Sequence, residues 1–384
     1  MKQPLTNRLI YKLVNFFYNR RVCKKKFDLT IDDDGIKGLK APFIALVNHS
    51  SNNDVFVTAR ALKKFQPNYL AAADQIARNR FFYRFFGAIP KRQFVSEISA
   101  VKRIKYVLDK GRPVVIFPEG KLSVDGKLGY LPRSIAKLVK FLGVTVVSVN
   151  IKGNYLGLPR WSKEQVRCKI IAKAEILLEG GELKKLPADE IYEKIHSALY
   201  HDEIAYQKEN CIRIERDLKG LEEILYFCPN CGAEFQTQAM GNKIKCGKCG
   251  AEFVFDNYGG VTGAGSLTLW YERQRQAVKK ELLERRYAFK AEADVWELPS
   301  AEGYRFLGKG IAAAADGEIR VEVGEKKFFF KSETMPAIPF DAGRGFFLSN
   351  TAVNLRLDVF GAEARQITKL ALAVEESFKL KNLK

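Results

Sequence analysis

A histidine and an aspartate lie five residues apart, directly after an apolar run at residues 42–47. At that spacing the side chains of His49 and Asp54 share neither a helix face nor a strand face. They can meet only if His49 lies in the turn after a strand and Asp54 lies in the first turn of the next helix. The carboxylate would then hold one ring nitrogen as N–H and leave the other nitrogen as a base.

A purely structural explanation of the same segment is also open. Residues 48–54 are rich in asparagine, serine and aspartate, whose short polar side chains cap the free N–H groups of a helix start. The segment alone therefore leaves a base–carboxylate pair and an N-cap cluster as alternatives.

Three further apolar runs also end in charged residues. The charged residues are Lys91 and Arg92 after 87–90, Glu119 and Lys121 on either side of Gly120 after 113–118, and Lys152 after 147–151. Each segment is weak evidence by itself, because a base at a turn is usually just solvated. The specific signal is the order and separation of all four segments.

The region from residue 41 to about 180 alternates between strand-like and helix-like patterns. Apolar runs at 42–47, 69–73, 113–117, 144–151 and 166–178 predict strands, and residues 55–65, 76–86, 95–110 and 132–142 have helical spacing. This alternation predicts an α/β fold with helices covering a mostly parallel sheet. In such sheets ligands bind at the carboxyl ends of the strands, where the charged segments lie.

Together the four segments resemble the blocks of the glycerolipid acyltransferase family, over about residues 30–180. The family's first block is matched at Asn48, His49 and Asp54, and its Phe-Pro-Glu-Gly block at residues 117–120. Two positions depart from the family pattern. Lys121 stands one place before the family's arginine, and Arg92 falls one residue early in the second block.

The resemblance implies transfer of a fatty acyl group from acyl-CoA or acyl-carrier protein to the hydroxyl of a lysophospholipid, above all 1-acylglycerol-3-phosphate. It implies His49 as general base, with Asp54 fixing its tautomer. Lys91, Arg92 and Lys121 would bind the acceptor phosphate, and Glu119 with Gly120 would position the substrate. No cofactor is implied for this reaction. His196 and His201 are expected to be surface or packing residues.

Four of the seven cysteines form two matched pairs, Cys228 with Cys231 and Cys246 with Cys249, each followed by glycine. Two such knuckles resemble a zinc ribbon, in which four thiolates close a structural site. An iron centre, or cysteines unrelated to one another, are the alternatives. Cys23, Cys168 and Cys211 are scattered.

Charge divides the chain more sharply than composition does. Of the formal net charge of +20, residues 1–160 carry all the excess, with 30 lysines and arginines against 10 acidic residues. Such a field favours an anionic partner. The apolar segment 9–18 lies between Lys2, Arg8, Arg20, Arg21 and Lys24 to Lys26, a pattern typical of an interfacial helix on an anionic membrane. A helix packed on its own domain is the alternative.

The predicted organisation has four parts. Residues 1–26 are a basic amphipathic membrane-associating segment, 27–226 the α/β domain, 227–256 the four-cysteine zinc ribbon, and 266–384 a β-rich domain with flanking helices and unknown function. No run approaches the length needed to span a bilayer and no secretion signal is visible. We therefore expect a cytoplasmic protein, peripheral on the cytoplasmic face of a membrane.

Two other functions are consistent with parts of the sequence. The ribbon and the net charge could bind nucleic acid, but residues 227–256 carry three lysines against three acidic residues, and this balanced charge disfavours a nucleic-acid partner. The ribbon or the C-terminal domain could instead dock a protein partner. The α/β domain could also be a non-catalytic lipid-binding relative, an alternative that the presence of both His49 and Asp54 disfavours.

Overall fold

The apolar run at residues 42–47 forms a strand at the centre of a sheet, with all five strand residues buried. The computed structural model describes residues 3–18, 27–300 and 303–382. These fold as two units, the first comprising Met1–Lys91 and Glu97–Ile214 and the second Arg92–Ser96 and Glu215–Lys384. Residues 215–226 and the cysteine segment thus belong to the second unit.

The first unit contains seven strands and ten helices in the described residues. The strands are β1 (Phe27–Gly35), β2 (Phe43–Val47), β3 (Asn68–Ala72), β4 (Ile89–Lys91), β5 (Val114–Ile116), β6 (Thr145–Lys152) and β7 (Cys168–Leu178). The helices are α1 (Arg8–Tyr18), α2 (Asp54–Ala61), α3 (Ala73–Arg78), α4 (Arg80–Phe85), α5 (Ile98–Asp109), α6 (Ser134–Leu142), α7 (Asn154–Gly157), α8 (Gly180–Leu183), α9 (Ala188–Leu199) and α10 (Glu203–Glu209).

The sheet of the first unit has the order β1-β7-β6-β2-β5-β3-β4. Its pairs are parallel except β6 with β7, so the predicted α/β fold with a mostly parallel sheet is confirmed. Helices α5, α6 and α9 cover β2 and β5 with a shared apolar core. Because β5, β2 and β6 are parallel neighbours, the turns that follow them lie along one edge of the sheet.

Two predictions for the first unit need correction. The helix expected over residues 76–86 is two short helices, because the backbone leaves the helical region at Asn79, with φ −147° and ψ 64°. Strand β1 was not predicted, since Asp32, Asp33 and Asp34 interrupt its apolar pattern. This strand pairs with β7 over Phe27–Asp32.

Helix α1 packs on the first unit through one side only. Tyr11 is 1% exposed, and its hydroxyl donates to the Ala59 carbonyl at 3.0 Å. Exposed apolar side chains occupy other positions of this helix, namely Leu9, Leu13, Phe16 and Phe17. The flanking bases Lys2, Arg20, Arg21, Lys24, Lys25 and Lys26, and also Cys23, lie outside the described residues. Within the described residues, no helix has the length and apolar character to cross a bilayer.

The second unit combines a small sheet, a large sheet and two long helices. The small sheet has β8 (Thr237–Met240), β9 (Lys243–Cys246) and β10 (Glu252–Val254). The large antiparallel sheet has the order β14-β13-β12-β11-β17-β16-β15. Its strands are β11 (Ala288–Ser300), β12 (Gly303–Ala315), β13 (Glu318–Val323), β14 (Lys326–Lys331), β15 (Phe340–Asp341), β16 (Gly345–Ser349) and β17 (Asn354–Val359), and the helices are α11 (Leu267–Leu283) and α12 (Ile367–Asn382).

The predicted β-rich region with a terminal helix is therefore present. Strand β11, at its centre, was missed although Phe289, Ala291, Ala293 and Val295 alternate with polar residues and are all buried. Its alanine, lysine and glutamate content favours helix by propensity. Pairing with β12 and β17 overrides that local preference.

Candidate active site and candidate metal centre

The turn after β2 is fixed to the neighbouring strand by a side chain. The Asn48 amide donates to the Ile151 carbonyl at 2.8 Å and accepts from the Ile151 N–H at 2.7 Å. Asn48 is fully buried, so its amide continues the strand-to-strand pairing past the end of β2. The next residue, His49, therefore leaves the sheet at a fixed position.

His49 and Asp54 are in contact, as their spacing predicted for a turn followed by a helix. The distance from His49 Nδ1 to Asp54 Oδ2 is 3.0 Å. Asp54 Oδ2 also accepts from the backbone N–H groups of Ser50 and Ser51, at 2.7 and 2.8 Å. The Asp54 side chain is fully buried and that of His49 is 19% exposed. A carboxylate at Nδ1 favours the tautomer whose Nε2 is a base, and the partial exposure of the ring leaves it accessible.

The turn after β5 holds the backbone of His49. Glu119 Oε1 accepts from the His49 N–H at 2.6 Å and Glu119 Oε2 from the Gly129 N–H at 2.8 Å, while the Ser123 N–H donates to the His49 carbonyl at 2.8 Å. Glu119 is 2% exposed, and burial raises its pKa to about 8 against the effect of these two N–H donors. Glu119 thus supports His49, and its expected contact with substrate stays a prediction.

Two neighbours of Glu119 complete this turn. Gly120 has φ +69°, a conformation in which glycine is free of Cβ strain. The Phe117 ring stacks on the His49 ring, with centroids 4.3 Å apart and planes 28° apart. The stacking limits the orientations open to the imidazole, a role for Phe117 that the motif alone did not indicate.

The predicted phosphate-binding cations fall into two groups. Lys91 ends β4 and Lys121 follows β5, so both lie at the edge of the sheet where the His49 turn begins. Arg92 belongs to the second unit, where its Nη1 donates to the carbonyls of Asn350 and Thr351 at 3.0 and 3.1 Å. The phosphate role of all three residues stays a prediction.

Two buried polar residues near Asp54 were not predicted. Asn154 Nδ2 donates to Asp54 Oδ1 at 2.5 Å, and Glu203 Oε2 accepts from the Gly153 N–H at 2.8 Å. The position of Asn154 after β6 is visible in the sequence, but Glu203 lies beyond the last predicted strand and offers no local signal. His201 is 2% exposed, its Nδ1 contacts the Leu199 carbonyl at 3.2 Å, and burial lowers its pKa, as suits a packing residue.

The four predicted metal ligands come together in the second unit. The Sγ atoms of Cys228, Cys231, Cys246 and Cys249 all lie within 4.8 Å of one another. The separation is 3.8 Å between Cys228 and Cys249 and 3.9 Å between Cys231 and Cys246. Four sulfurs bound to one zinc ion at about 2.3 Å in a tetrahedron are about 3.8 Å apart. The cluster therefore has the ligands and the spacing to hold one tetrahedral ion.

Comparisons with known proteins bear on the first unit. Residues 18–152 match the family model described as Acyltransferase. The chloroplastic 1-acyl-sn-glycerol-3-phosphate acyltransferase of Arabidopsis thaliana is 26% identical over 138 residues, which are 35% of this chain and 39% of that protein. The chain thus spans about two fifths of this relative's length. The crystal structure of the 1-acyl-sn-glycerophosphate acyltransferase PlsC from Thermotoga maritima is similar with a TM-score of 0.42 and 18% identity, covering 50% of this chain and 80% of that one.

The family model and the curated relative support an acyltransferase domain in the first unit. His49, Asp54 and Glu119 lie inside the matched residues, whereas Asn154, Glu203 and the cysteine cluster lie beyond them.

Proposed function

We propose that this protein transfers a fatty acyl group from an acyl thioester to the hydroxyl of a lysophospholipid. The proposed acceptor is 1-acylglycerol-3-phosphate, which would give phosphatidic acid. The observation that carries the proposal is the 3.0 Å contact between His49 Nδ1 and Asp54 Oδ2 at the carboxyl end of β2. It lies inside the residues that match the Acyltransferase model.

In the proposed reaction His49 acts as general base. Asp54 keeps the proton on Nδ1, so Nε2 takes the proton from the acceptor hydroxyl as its oxygen attacks the thioester carbonyl. The tetrahedral intermediate then collapses, the carbon–sulfur bond breaks, and the imidazolium returns the proton to the departing thiolate. The products are an ester and a free thiol. A general base in this role typically increases the reaction rate by about 10²- to 10⁴-fold.

The acceptor's phosphate is proposed to bind Lys91 and Lys121, with Arg92 as the third predicted cation. An ammonium group attracts phosphate as a point charge, without the bidentate geometry of a guanidinium. We therefore expect recognition of the charge of the headgroup more than of its shape. The donor carrier is proposed to be CoA or acyl-carrier protein.

The cysteine cluster is proposed to bind structural zinc as a ribbon. Gly232 and Gly250 follow the two knuckles with φ of +72° and +74°, and each donates its N–H to the carbonyl of the first cysteine of its knuckle at 2.9 Å. All four sites of a tetrahedral ion would be filled by cysteine, which leaves no position for substrate. Metal analysis of the purified protein should find one zinc per chain, and an iron spectrum would overturn this assignment.

Helix α1 is proposed to bind an anionic membrane on the cytoplasmic face. Tyr11 fastens the helix, while Leu9, Leu13, Phe16 and Phe17 are exposed beside Arg8 and Lys12. Flotation with anionic vesicles should be reduced by replacing Leu9 and Phe16 together with serine and should be weak with neutral vesicles. Equal flotation of this variant and the unaltered protein would contradict the proposal.

The reaction is tested with a panel of acceptors and both donors. Acyl transfer to 1-acylglycerol-3-phosphate should exceed transfer to 1-acylglycerol, which has the same hydroxyl and lacks the phosphate. Transfer to neither acceptor would contradict the proposal. In that case tight binding of lysophospholipid would favour the non-catalytic relative, and salt-sensitive binding of nucleic acid would favour the nucleic-acid alternative.

A further inference from the structure

The Asp54 carboxylate is held unequally at its two oxygens. Oδ2 accepts from His49 Nδ1 and from the N–H groups of Ser50 and Ser51. Oδ1 accepts from Asn154 Nδ2 at 2.5 Å. The first three donors lie in the same short turn as Asp54, whereas Asn154 is a hundred residues away in the sequence. Rotation of the carboxylate is therefore opposed from outside the His49 turn by Asn154.

Asn154 is itself fixed by the turn that carries it. The preceding Gly153 has φ +84°, and a Cβ there would lie 2.1 Å from the Lys169 carbonyl oxygen. This backbone conformation and close packing are open to glycine alone. The Gly153 N–H is taken up by Glu203 Oε2 at 2.8 Å. The position of Asn154 thus depends on a tight approach to β7 and on one buried carboxyl group.

Glu203 is suited to this role by its burial. It is 0% exposed, as is Asn154, and its own N–H donates to the Gly126 carbonyl at 2.9 Å. Burial raises the pKa of Glu203 to about 8, so the carboxyl group is largely neutral at pH 7. It therefore accepts the Gly153 N–H without bringing a second full negative charge close to Asp54.

We propose that Asn154 is a positioning residue for the reaction, that it holds Asp54 against His49, and that Glu203 fixes it through Gly153. The inference rests on the proposed acyl transfer for its kinetic consequence. Its structural consequence, the tautomer of His49, can be measured independently. Loss of the donor to a buried carboxylate oxygen leaves a charged acceptor unsatisfied, which is costly. The carboxylate should then turn, and Nδ1 should lose its fixed hydrogen.

The first test compares Asn154→Ala with the unaltered protein. We expect kcat for acyl transfer to fall about 10- to 100-fold, as for loss of one charged hydrogen bond, with KM nearly unchanged. Selective ¹⁵N labelling of histidine gives signals from only three residues, and His49→Ala assigns the signal of His49. In Asn154→Ala the Nδ1–H tautomer of His49 should lose population.

The second test uses Asn154→Asp, which keeps the shape of the side chain. Because Asp54 accepts two backbone N–H bonds, a shared proton should sit on the new carboxyl group and donate to Asp54. The other titratable groups acting on Asp54 are His49, Glu119, His201 and Glu203. Compared with the unaltered protein at the same pH, this variant should keep more of its kcat at the acid end of the pH range and lose it as the shared proton leaves, whereas the kcat ratio for Asn154→Ala should be low at every pH.

Glu203→Gln and Glu203→Ala form the matched pair for the second link. The amide oxygen of glutamine can still accept the Gly153 N–H, so we expect nearly normal kcat for Glu203→Gln and a clear loss for Glu203→Ala. Normal kcat together with an unchanged His49 tautomer in Asn154→Ala would overturn the inference. If the unaltered protein transfers no acyl group, the proposed function fails, and the His49 tautomer alone then decides whether Asn154 positions Asp54.

Discussion

The two candidate sites are assembled in opposite ways. Each cysteine knuckle is closed by its own residues, through N–H bonds from Cys228 to the Ala233 carbonyl and from Cys246 to the Ala251 carbonyl at 2.8 and 2.9 Å. The His49 site instead draws on turns after three parallel strands and on Glu203, beyond the sheet. Local spacing is sufficient for the first kind of site, whereas the second kind requires the whole fold of its unit.

The cysteine site is nevertheless built into the second unit. The Phe227 N–H donates to Gln274 Oε1 at 3.1 Å, and Trp270 Nε1 donates to the Phe227 carbonyl at 2.6 Å. Trp270 and Gln274 belong to α11 and are fully buried. The knuckle that begins at Cys228 therefore contacts a helix of the same unit, and loss of the proposed metal should affect this helix as well as the cysteine segment.

Removal of the proposed metal should have the largest effect, and this effect should be confined to the second unit. Metal ligation can supply on the order of 10 kcal/mol of folding free energy to a small module. We expect chelation or Cys228→Ser to raise hydrogen exchange across β8, β9 and α11, while the first unit keeps its protection. Cys211→Ser, which changes an exposed cysteine outside the cluster, is the control. Unchanged exchange in the metal-free protein would contradict the structural role.

Replacement of Asp54 should impair the His49 site and leave the cysteine site unchanged. In Asp54→Asn an NH₂ group replaces one of the two carboxylate oxygens. The amide therefore cannot accept hydrogen bonds from both His49 Nδ1 and Asn154 Nδ2, and kcat should fall by about 10²- to 10⁴-fold. Metal content should be unaffected. Asp189→Asn is the control, because Asp189 is a surface carboxylate paired with Arg133. Similar kcat values for the two variants would exclude a catalytic pair.

The pH dependence of stability sharpens the account of the first unit. Burial raises the pKa of Glu119 and of Glu203 from 4.5 to about 8, so folding takes up protons between those values. The free energy of unfolding of this unit should therefore decrease as pH rises from about 4.5 to 8, by up to about 1.4 kcal/mol per pH unit for each group. Glu119→Gln should remove one such contribution. The free energy of unfolding is measured by chemical denaturation at each pH. If it falls equally steeply with pH in this variant and in the unaltered protein, the raised pKa of Glu119 is contradicted.

The smallest expected effect concerns the acceptor. Lys121→Ala or Lys91→Ala should raise KM for 1-acylglycerol-3-phosphate by roughly tenfold, as expected for loss of one charge-assisted contact to phosphate. KM for 1-acylglycerol should change little. Lys137→Ala, on α6, is the control for general loss of positive charge. Equal KM changes for both acceptors would show that these lysines do not bind the phosphate.

The sequence predicted the parts of the molecule that depend on local patterns. Apolar runs located β2, β5 and β6, and the spacing of His49 and Asp54 predicted a turn followed by a helix. The roles of Asn154 and Glu203 could not be predicted, because both depend on contacts between distant parts of the chain. Asn154 reaches Asp54 only when β6 lies beside β2, and Glu203, on α10, reaches Gly153 only in the folded unit. Arg92 is a similar case, since its carbonyl partners are about 260 residues later in the chain.

The central claim is that His49 carries out acyl transfer. The most direct test measures the transfer of a labelled acyl group from acyl-CoA or acyl-carrier protein to 1-acylglycerol-3-phosphate by His49→Ala and by His196→Ala, at matched zinc content and melting temperature. The account predicts that His49→Ala loses at least about 10²-fold in kcat, while His196→Ala stays close to the unaltered protein. Retained turnover in folded His49→Ala would contradict it.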